Sequence, residues 1–236
     1  MKSRLEAYFA HRLMVAGLVF EGRSVTVPDP AVLLARLSTL NDDDPVAIWP
    51  AGSEAAGYKQ FVHGALSARW LMADLWAHQL GSAFKIDVSF RRPVVMDQSY
   101  SRHWHADNRG TWHGQVRRDD QDCVIINYVV TQLAHPDLRC ADLLSRLEAT
   151  LALIELCAYQ AMLVPTEKHA VWSGLTDLHV QSLMFDSGVP LVAKAQTAAA
   201  DDPGNQAITV SLTSGGLVVA TAICRLTQIQ LSALPV

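Results

Sequence analysis

The chain has 236 residues, of which 50% are hydrophobic, with a formal net charge of -4 and a pI near 6.1. This length suits one large domain or two small ones. The acidic balance argues against a nucleic-acid partner, which would require a basic patch. No apolar run reaches the ~18 residues of a transmembrane helix, so we expect no membrane partner. The cysteines include no CxxC pair, which is typical of small hydrophobic side chains in a reducing, cytoplasmic protein.

The first half of the chain predicts helices followed by strands. Residues 22–27 are rich in β-branched side chains and predict a strand. Residues 30–40 have helical spacing, with Pro30 at the first helical position and Asp29 as the cap. Residues 64–80 contain no proline and no internal glycine, and they predict a helix that is buried on most sides. Alternating apolar residues then predict four strands, in AFKIDVSFRRPV, SYSRHWH, TWHGQVRR and DCVIINYVVTQ.

The second half repeats this order. Residues 145–164 form a long helical pattern that Pro165 ends. Strands are predicted in WSGLTDLHVQSL, VPLVAKAQTAA, QAITVSLTS and GLVVATAICRLTQIQ, and the pair Gly215–Gly216 indicates a hairpin between the last two. The order of a helix followed by strands thus occurs twice in the chain. This order predicts an α+β fold in which two antiparallel sheets each wrap around a long central helix.

Three short segments resemble the MaoC-like (R)-specific enoyl-CoA hydratases and dehydratases of the hot-dog fold. They are NDDDPVAIWP at 41–50, FVHGAL at 61–66 and FRRPV at 90–94. In that family an Asp-x-Asn-Pro-x-His motif precedes a His-Gly pair at the start of the central helix. The resemblance covers about residues 20–130. It implies a double hot-dog, with the site in an N-terminal unit, 1–135, and a non-catalytic unit, 136–236, that completes an acyl tunnel.

The motif departs from the family pattern at two positions, since Asp44 replaces the asparagine and Ala47 replaces the catalytic histidine. The resemblance implies that Asp42 acts on the water that is added or removed, and that the backbone N–H of Gly64 polarises the thioester carbonyl. His63 is the nearest remaining imidazole. The alternatives are that Asp42 to Asp44 form a solvated loop, that His63 is a structural histidine and that Gly64 only caps a buried helix. The catalytic candidates are Asp42, His63 and Asp44, and the substrate-binding candidates are Gly64 and Tyr58.

A second, shorter likeness lies in the long helix of the second half. IELCAYQ is similar to the E-x-x-A-Q helix of the 3-hydroxyacyl carrier-protein dehydratases, with Glu155 at the glutamate position and Tyr159 where the glutamine stands. No histidine precedes it at the distance found in that family.

Two groups of polar residues in the predicted strands raise questions of ligand binding. His103 and His105 lie on one side of a strand and His113 lies across a turn, which is enough for a zinc site in principle. Neighbouring tryptophans favour ordinary cross-strand packing, so we expect no metal and no cofactor. The pairs at 91–92 and 117–118 are arginines that could meet the phosphates of coenzyme A or of a carrier-protein arm, or could lie on solvated sheet edges.

The resemblance implies a hydro-lyase that acts on a β-hydroxyacyl or enoyl chain carried by coenzyme A or acyl carrier protein, as in polyketide or fatty-acid biosynthesis. Three alternatives stay open: a polyketide cyclase that uses the same tunnel, a hot-dog thioesterase, and a non-catalytic acyl-binding protein. A homodimer is also left open.

Overall fold

The structure is a computed structural model that describes residues 13, 16–39, 64–76, 81–92, 94, 98–134, 139–162, 168–197 and 205–230. Within these ranges the helices are α1 Pro30–Thr39, α2 Gly64–Trp76 and α3 Cys140–Ala161. The strands there are β1 Val19–Glu21, β2 Ser24–Val27, β3 Gly81–Phe90, β4 Ser101–Ala106, β5 Trp112–Arg118, β6 Gln121–Leu133, β7 Lys168–Val180, β8 Leu191–Thr197, β9 Asn205–Ser214 and β10 Leu217–Gln230.

All of these strands join one antiparallel sheet, in the order β1-β2-β8-β9-β10-β7-β3-β6-β5-β4. The two halves of the chain follow the same plan, because β3-β6-β5-β4 on one side of the centre matches β7-β10-β9-β8 on the other. One face of the sheet is apolar: in β3 the side chains of Phe84, Ile86 and Val88 are buried, whereas Lys85 and Asp87 are exposed. This alternation confirms the half-buried strand that the sequence predicts.

The helices cover the apolar face. Helix α2 contacts β3, β5 and β6, and α3 contacts β8, β9 and β10, so each long helix packs on the strands that follow it in the chain. The two helices also contact each other, and α1 packs against α3. Burial of both helices between the sheet and one another agrees with the apolar composition of residues 64–76 and 145–161.

Local chemistry explains several element boundaries. The Ala31 N–H donates a 3.1 Å hydrogen bond to Asp29 Oδ1, which confirms the predicted cap of α1. The turn between β9 and β10 needs a left-handed backbone at two positions, and Gly215 and Gly216 supply it with φ of 56° and 81°. The predicted helix over 64–80 is found from Gly64 to Trp76, and 77–80 lie outside the described residues.

The halves meet where β3 pairs with β7. A bulge interrupts this pairing between Ile86–Leu178 and Val88–Leu175. Within the bulge Asp177 takes a φ of 50°, and its N–H donates a 2.8 Å hydrogen bond to Asp87 Oδ1. The carboxylate of one half therefore holds the irregular backbone of the other.

The N-terminal strands extend the sheet of the second half. Strand β2 pairs with β8, with Ser24 opposite Lys194, and β1 forms the outer edge. The sheet runs without a break from these strands to β4. The division into units 1–135 and 136–236 stays a prediction, and in the structure strands from both sides of that boundary hydrogen-bond to each other.

Candidate active site

Of the predicted site residues, Gly64 lies within the described part of the chain. Asp42, Asp44, Tyr58 and His63 lie outside the described residues. Gly64 is the first residue of α2, as expected. The first N–H groups of a helix have no acceptor within the helix, and the helix dipole places partial positive charge there. The N–H of Gly64, at the positive end of the helix dipole, is therefore a candidate donor to a carbonyl oxygen or a developing oxyanion.

The side chain of Trp104 locates the middle of α2 on the sheet. The Leu71 carbonyl oxygen accepts a 3.0 Å hydrogen bond from Trp104 Nε1 of β4. Trp104 is in register with Val88 near the centre of the sheet, through the partners Gly114 and Ile126. The middle of α2 thus lies over the Val88 level of β3.

The direction of α2 follows from the reach of the chain. Val88 lies ~23 Å along β3 from Gly81. The linker from Trp76 to Gly81 spans at most ~18 Å, and the second half of α2 covers ~8 Å. The helix must therefore run toward the Gly81 end of β3. Gly64 lies toward the opposite end, where β3 finishes at Phe90.

Helix α3 has the same relation to β7. Arg146, in the first half of α3, donates hydrogen bonds through Nη1 to the carbonyl oxygens of Leu183, at 3.2 Å, and Phe185, at 2.7 Å. Both acceptors follow the end of β7 at Val180. Because β3 and β7 are antiparallel, the start of α2 and the second half of α3 lie toward the same end of the molecule.

The two helices share a buried polar contact. Arg69 Nε of α2 lies 3.2 Å from Glu148 Oε2 of α3, and the two side chains are 6% and 0% exposed. Glu155 lies seven residues, or about two turns, beyond Glu148 and therefore on the same face of α3. That face is directed toward α2. We use "helix seam" for Gly64, Arg69, Glu148 and Glu155.

Glu155 is the seam carboxylate nearest the end at which α2 begins. It is 1% exposed. Its surroundings include Cys224 of β10, whose thiol pKa is raised well above its usual value, first by burial and then by the negative charge of Glu155 and by Cys157. Burial likewise raises the pKa of Cys157 to about 11. Glu155 is thus a carboxylate in an enclosed, water-poor part of the core, the environment in which proteins use such groups as general acids or bases.

The sequence predicted none of Arg69, Glu148 and Glu155 as site residues, and Glu155 was noted only as the glutamate position of the IELCAYQ likeness. The available signal was weak: each is one of a few charged residues inside a mostly apolar helical pattern, GALSARWLMADLW for Arg69 and CADLLSRLEATLALIELCAYQA for Glu148. A charge in such a pattern is buried only when it is paired. The pattern indicates that a partner exists but not which residue it is.

The histidines of the β4–β5 hairpin pack across the strands. The rings of His105 and His113 stack with centroids 5.0 Å apart. His113 Nδ1 lies 2.9 Å from Asn127 Oδ1, and its Nε2 lies 3.5 Å from Asp107 Oδ2. The cross-strand packing that the tryptophans favoured is confirmed. Among the described residues, no three His, Cys, Asp or Glu side chains are placed to hold a metal ion.

The two arginine pairs differ in their partners. Arg117 Nε lies 3.3 Å from Asp122 Oδ1, and its Nη2 donates a 2.8 Å hydrogen bond to the Asp120 carbonyl oxygen. Arg118 Nε lies 3.7 Å from a carboxylate oxygen of Asp119, which is 90% exposed. Arg91 and Arg92 are exposed. Of the arginines in these two pairs, Arg117 is therefore the one most strongly neutralised by a neighbouring carboxylate, that of Asp122.

No known family model matches this sequence, and no curated protein sequence matches it. Several solved structures are similar in fold. The tesB protein of Mycobacterium avium subspecies paratuberculosis is 10% identical, with a TM-score of 0.56 over 94% of this chain and 99% of that chain. The acyl-CoA thioesterase II TesB2 of Mycobacterium marinum is 10% identical, with a TM-score of 0.54 over 76% and 94%. The dehydratase domain from the CurJ module of curacin polyketide synthase is 8% identical, with a TM-score of 0.52 over 76% and 89%.

At this level of identity the likeness concerns the fold alone. A long helix against a large antiparallel sheet, together with these neighbours, gives the chain the α+β hot-dog fold that the sequence predicts. Membership of the MaoC-like family in particular stays a prediction. No helix in the described part of the chain has the length and apolar character needed to cross a membrane.

Proposed function

We propose that the protein is a MaoC-like hydro-lyase that adds or removes water across the α and β carbons of an acyl thioester. The carrier is coenzyme A or acyl carrier protein. The observation that carries this proposal is the helix seam: Gly64 opens α2 toward the same end of the molecule as the buried carboxylate Glu155 of α3. One element offers N–H groups to an oxyanion, and the other offers a group that transfers protons.

We further propose a double hot-dog, in which each half contributes one long helix and four strands. The matching strand orders of the two halves and the antiparallel β3–β7 junction support this architecture. The helices of such a pair run in opposite directions, so the oxyanion end of α2 is met by the second half of α3. The N-terminal unit would then be completed by the C-terminal unit, which contributes Glu155, within one chain.

Dehydration in this seam needs three groups. The N–H groups at the start of α2 stabilise the negative charge that develops on the thioester oxygen while a base removes the α-proton. A general acid then protonates the β-hydroxyl, the C–O bond breaks, and water leaves. Asp42, with Asp44 and His63 as further candidates and Tyr58 as a substrate contact, supplies one proton-transfer group. Glu155 supplies the second one, which Ala47 cannot provide.

The test is a mass-spectrometric assay with 3-hydroxyacyl and enoyl thioesters of coenzyme A and of carrier protein. We expect a gain or loss of one water with the wild type. Glu155→Gln and Asp42→Asn should each lower kcat by ~100-fold or more, since general acid–base groups contribute about that much. Asp43→Asn is the matched control, because it removes a carboxylate from the same loop.

The variants separate chemistry from folding if their circular dichroism and urea midpoints equal those of the wild type. Wild-type protein that changes the mass of no simple thioester contradicts the proposal. It would favour the cyclase or the non-catalytic acyl-binding protein. Activity that survives Glu155→Gln unchanged would remove Glu155 from the mechanism but leave Asp42 in it.

A thioesterase is the second candidate, and Ala47 is the observation that favours it. Hydrolysis of a thioester needs one carboxylate to activate water, which attacks the carbonyl carbon and breaks the C–S bond, with the same helix end stabilising the oxyanion. Release of free thiol, measured with a thiol reagent in the same reactions, distinguishes this outcome from addition of water to the double bond.

A further inference from the structure

Three arginines come together where β3 and β5 end. The N–H groups of Arg91 and Arg92 both donate to the Cys123 carbonyl oxygen, at 2.8 Å and 3.2 Å, which fixes the residues after β3 beside the start of β6. Arg118 is the last residue of β5 and pairs with Gln121 across the β5–β6 turn. We use "arginine patch" for Arg91, Arg92 and Arg118.

The electrostatics of Cys123 agree with this arrangement. Burial raises the pKa of the Cys123 thiol, and the positive charges of Arg118 and Arg92 both act in the opposite direction. Two guanidinium groups from different strands therefore lie close enough to the same atom to influence it. The patch is a convergence in space and not only a pair of neighbours in the chain.

The acidic residues nearby neutralise the patch in part. Asp122 and the Asp120 carbonyl oxygen engage Arg117, which is not in the patch. Asp119 approaches Arg118 at 3.7 Å, but the Asp119 side chain is 90% exposed and the Asp120 side chain is fully exposed. Pairs this exposed are weak and exchange readily with another anion. Arg91 and Arg92 are exposed, and no carboxylate of the described residues forms an ion pair with either.

The patch lies toward the end of the sheet at which α2 begins. Arg91 follows Phe90, the last residue of β3, and the start of α2 is directed to that end of the strand. Measured from Val88, Arg92 is at most ~13 Å further along the strand direction, and Gly64 is ~11 Å from Leu71 along the helix. Positive charge from the arginines and from the helix dipole therefore accumulates at one end of the molecule.

We propose that the arginine patch binds the phosphate ester of a pantetheine carrier while its thioester lies at the start of α2. This inference rests on the proposed function. Guanidinium groups match phosphate oxygens with two parallel hydrogen bonds, and such charge-assisted bonds are stronger than neutral ones. Arg92 and Arg118 act on the same thiol from different segments of the chain, so one phosphate can contact both. The patch thus selects phosphorylated pantetheine over an acyl group on a bare thiol.

The experiment is calorimetric titration of the full chain with coenzyme A, dephospho-coenzyme A, 4′-phosphopantetheine and pantetheine at low salt. We expect the double variant Arg91→Gln/Arg92→Gln to weaken coenzyme A binding by ~10-fold or more. Pantetheine binding should not change. Arg117→Gln is the matched control and should stay within about twofold of the wild type, because Asp122 already neutralises Arg117.

A second pair of substitutions tests the patch in the opposite direction. Asp119 and Asp120 have φ of 49° and 61°, a backbone that asparagine adopts readily. Asp119→Asn/Asp120→Asn removes two negative charges beside the arginines and should tighten coenzyme A binding by roughly twofold or more. This gain cannot come from a folding defect.

The ligand series identifies the phosphate that is bound. Loss of affinity for both coenzyme A and 4′-phosphopantetheine in the arginine variant assigns the phosphate attached to pantetheine, which a carrier-protein arm also has. Loss for coenzyme A alone would place the arginines at the 3′-phosphate and would overturn the assignment to the phosphate attached to pantetheine.

Equal losses for pantetheine, or unchanged affinity for every ligand, would overturn the proposal. The titration is independent of turnover, so the patch and the proposed function can fail separately. Binding without any turnover would uphold the patch but contradict the hydro-lyase. Turnover by the wild type, with the same kcat/KM in the arginine variant, would uphold the hydro-lyase but contradict the patch.

Discussion

The ion pair between Arg69 and Glu148 is a residue-scale feature whose energetics can be tested directly. Both side chains are almost fully buried. Glu148→Gln removes the carboxylate that lies against the buried Arg69 charge and should lower the free energy of unfolding by ~3–5 kcal/mol. Replacing both residues by apolar ones, Arg69→Met/Glu148→Leu, removes both charges and the cost of their desolvation. This double variant should be about neutral or stabilising. Urea unfolding at constant m value measures both effects.

The exposed pair Arg139–Asp142 provides the control. Its separation, 2.9 Å, is shorter than that of the buried pair, but the Arg139 side chain is 79% exposed. Arg139→Gln should therefore cost ~1 kcal/mol or less. A Glu148→Gln variant that is no less stable than Arg139→Gln would show that the buried pair is not a close, desolvated contact.

Residues whose role depends on their neighbours in the chain were predictable. Asp29 as a cap, Gly64 as a helix start and Gly215–Gly216 as a hairpin turn follow from local backbone chemistry, and the structure has all three. The Arg69–Glu148 pair joins residues that are 79 positions apart in the sequence, and only the packing of α2 on α3 brings them together. No local rule contains that information.

At the scale of elements, β4 is held against α2 by Trp104, which needs a glycine behind it, and by Arg102, whose Nε lies 3.1 Å from Asp74 Oδ2. A Cβ on Gly114 would lie 2.6–2.7 Å from the Trp104 ring, whose N–H donates to Leu71. Gly114→Ala must displace this ring and should lower stability by ~1–3 kcal/mol, as overpacking does. The urea midpoint, with a change in tryptophan fluorescence, measures it.

Gly188→Ala is the comparison for this prediction. The added Cβ would meet Asp186 Oδ1 at 3.5 Å, an ordinary contact. We expect a change within ~0.5 kcal/mol. If the Gly114 and Gly188 variants unfold at the same urea concentration, Trp104 is not wedged against β5 as described.

Long elements were predictable, and short or irregular ones were not. The strand patterns with strict alternation all form strands, because one face of the sheet is buried under helices. Strand β1 has only three residues, all exposed, and offers no alternation to detect. Helix α3 begins at Cys140, ahead of the apolar pattern at 145, where Arg139 and Asp142 pair at its first turn. The β3–β7 bulge at Asp177 depends on a partner strand from the other half of the chain.

At the scale of the whole molecule, the continuous sheet has a consequence for folding. The halves share the β3–β7 pairing, the α2–α3 contact and the attachment of β2 to β8. Separated from the other half, each half would expose the strand at the junction, β3 or β7, and one side of its long helix. We therefore expect a single cooperative unfolding transition.

Hydrogen exchange resolves this point strand by strand. Gly114→Ala changes only the first half of the chain, yet in a single cooperative unit it should lower the protection of slowly exchanging amides in β9–β10 by the same free energy as in β5–β6. Mass spectrometry of peptides from the four strands, in the wild type and in the variant, gives both values. Loss of protection confined to β5–β6 would mean that the halves unfold separately, as two independent domains divided near residue 135 would do. Equal losses would mean that the two halves of the chain unfold together, because they share one sheet and one pair of facing helices.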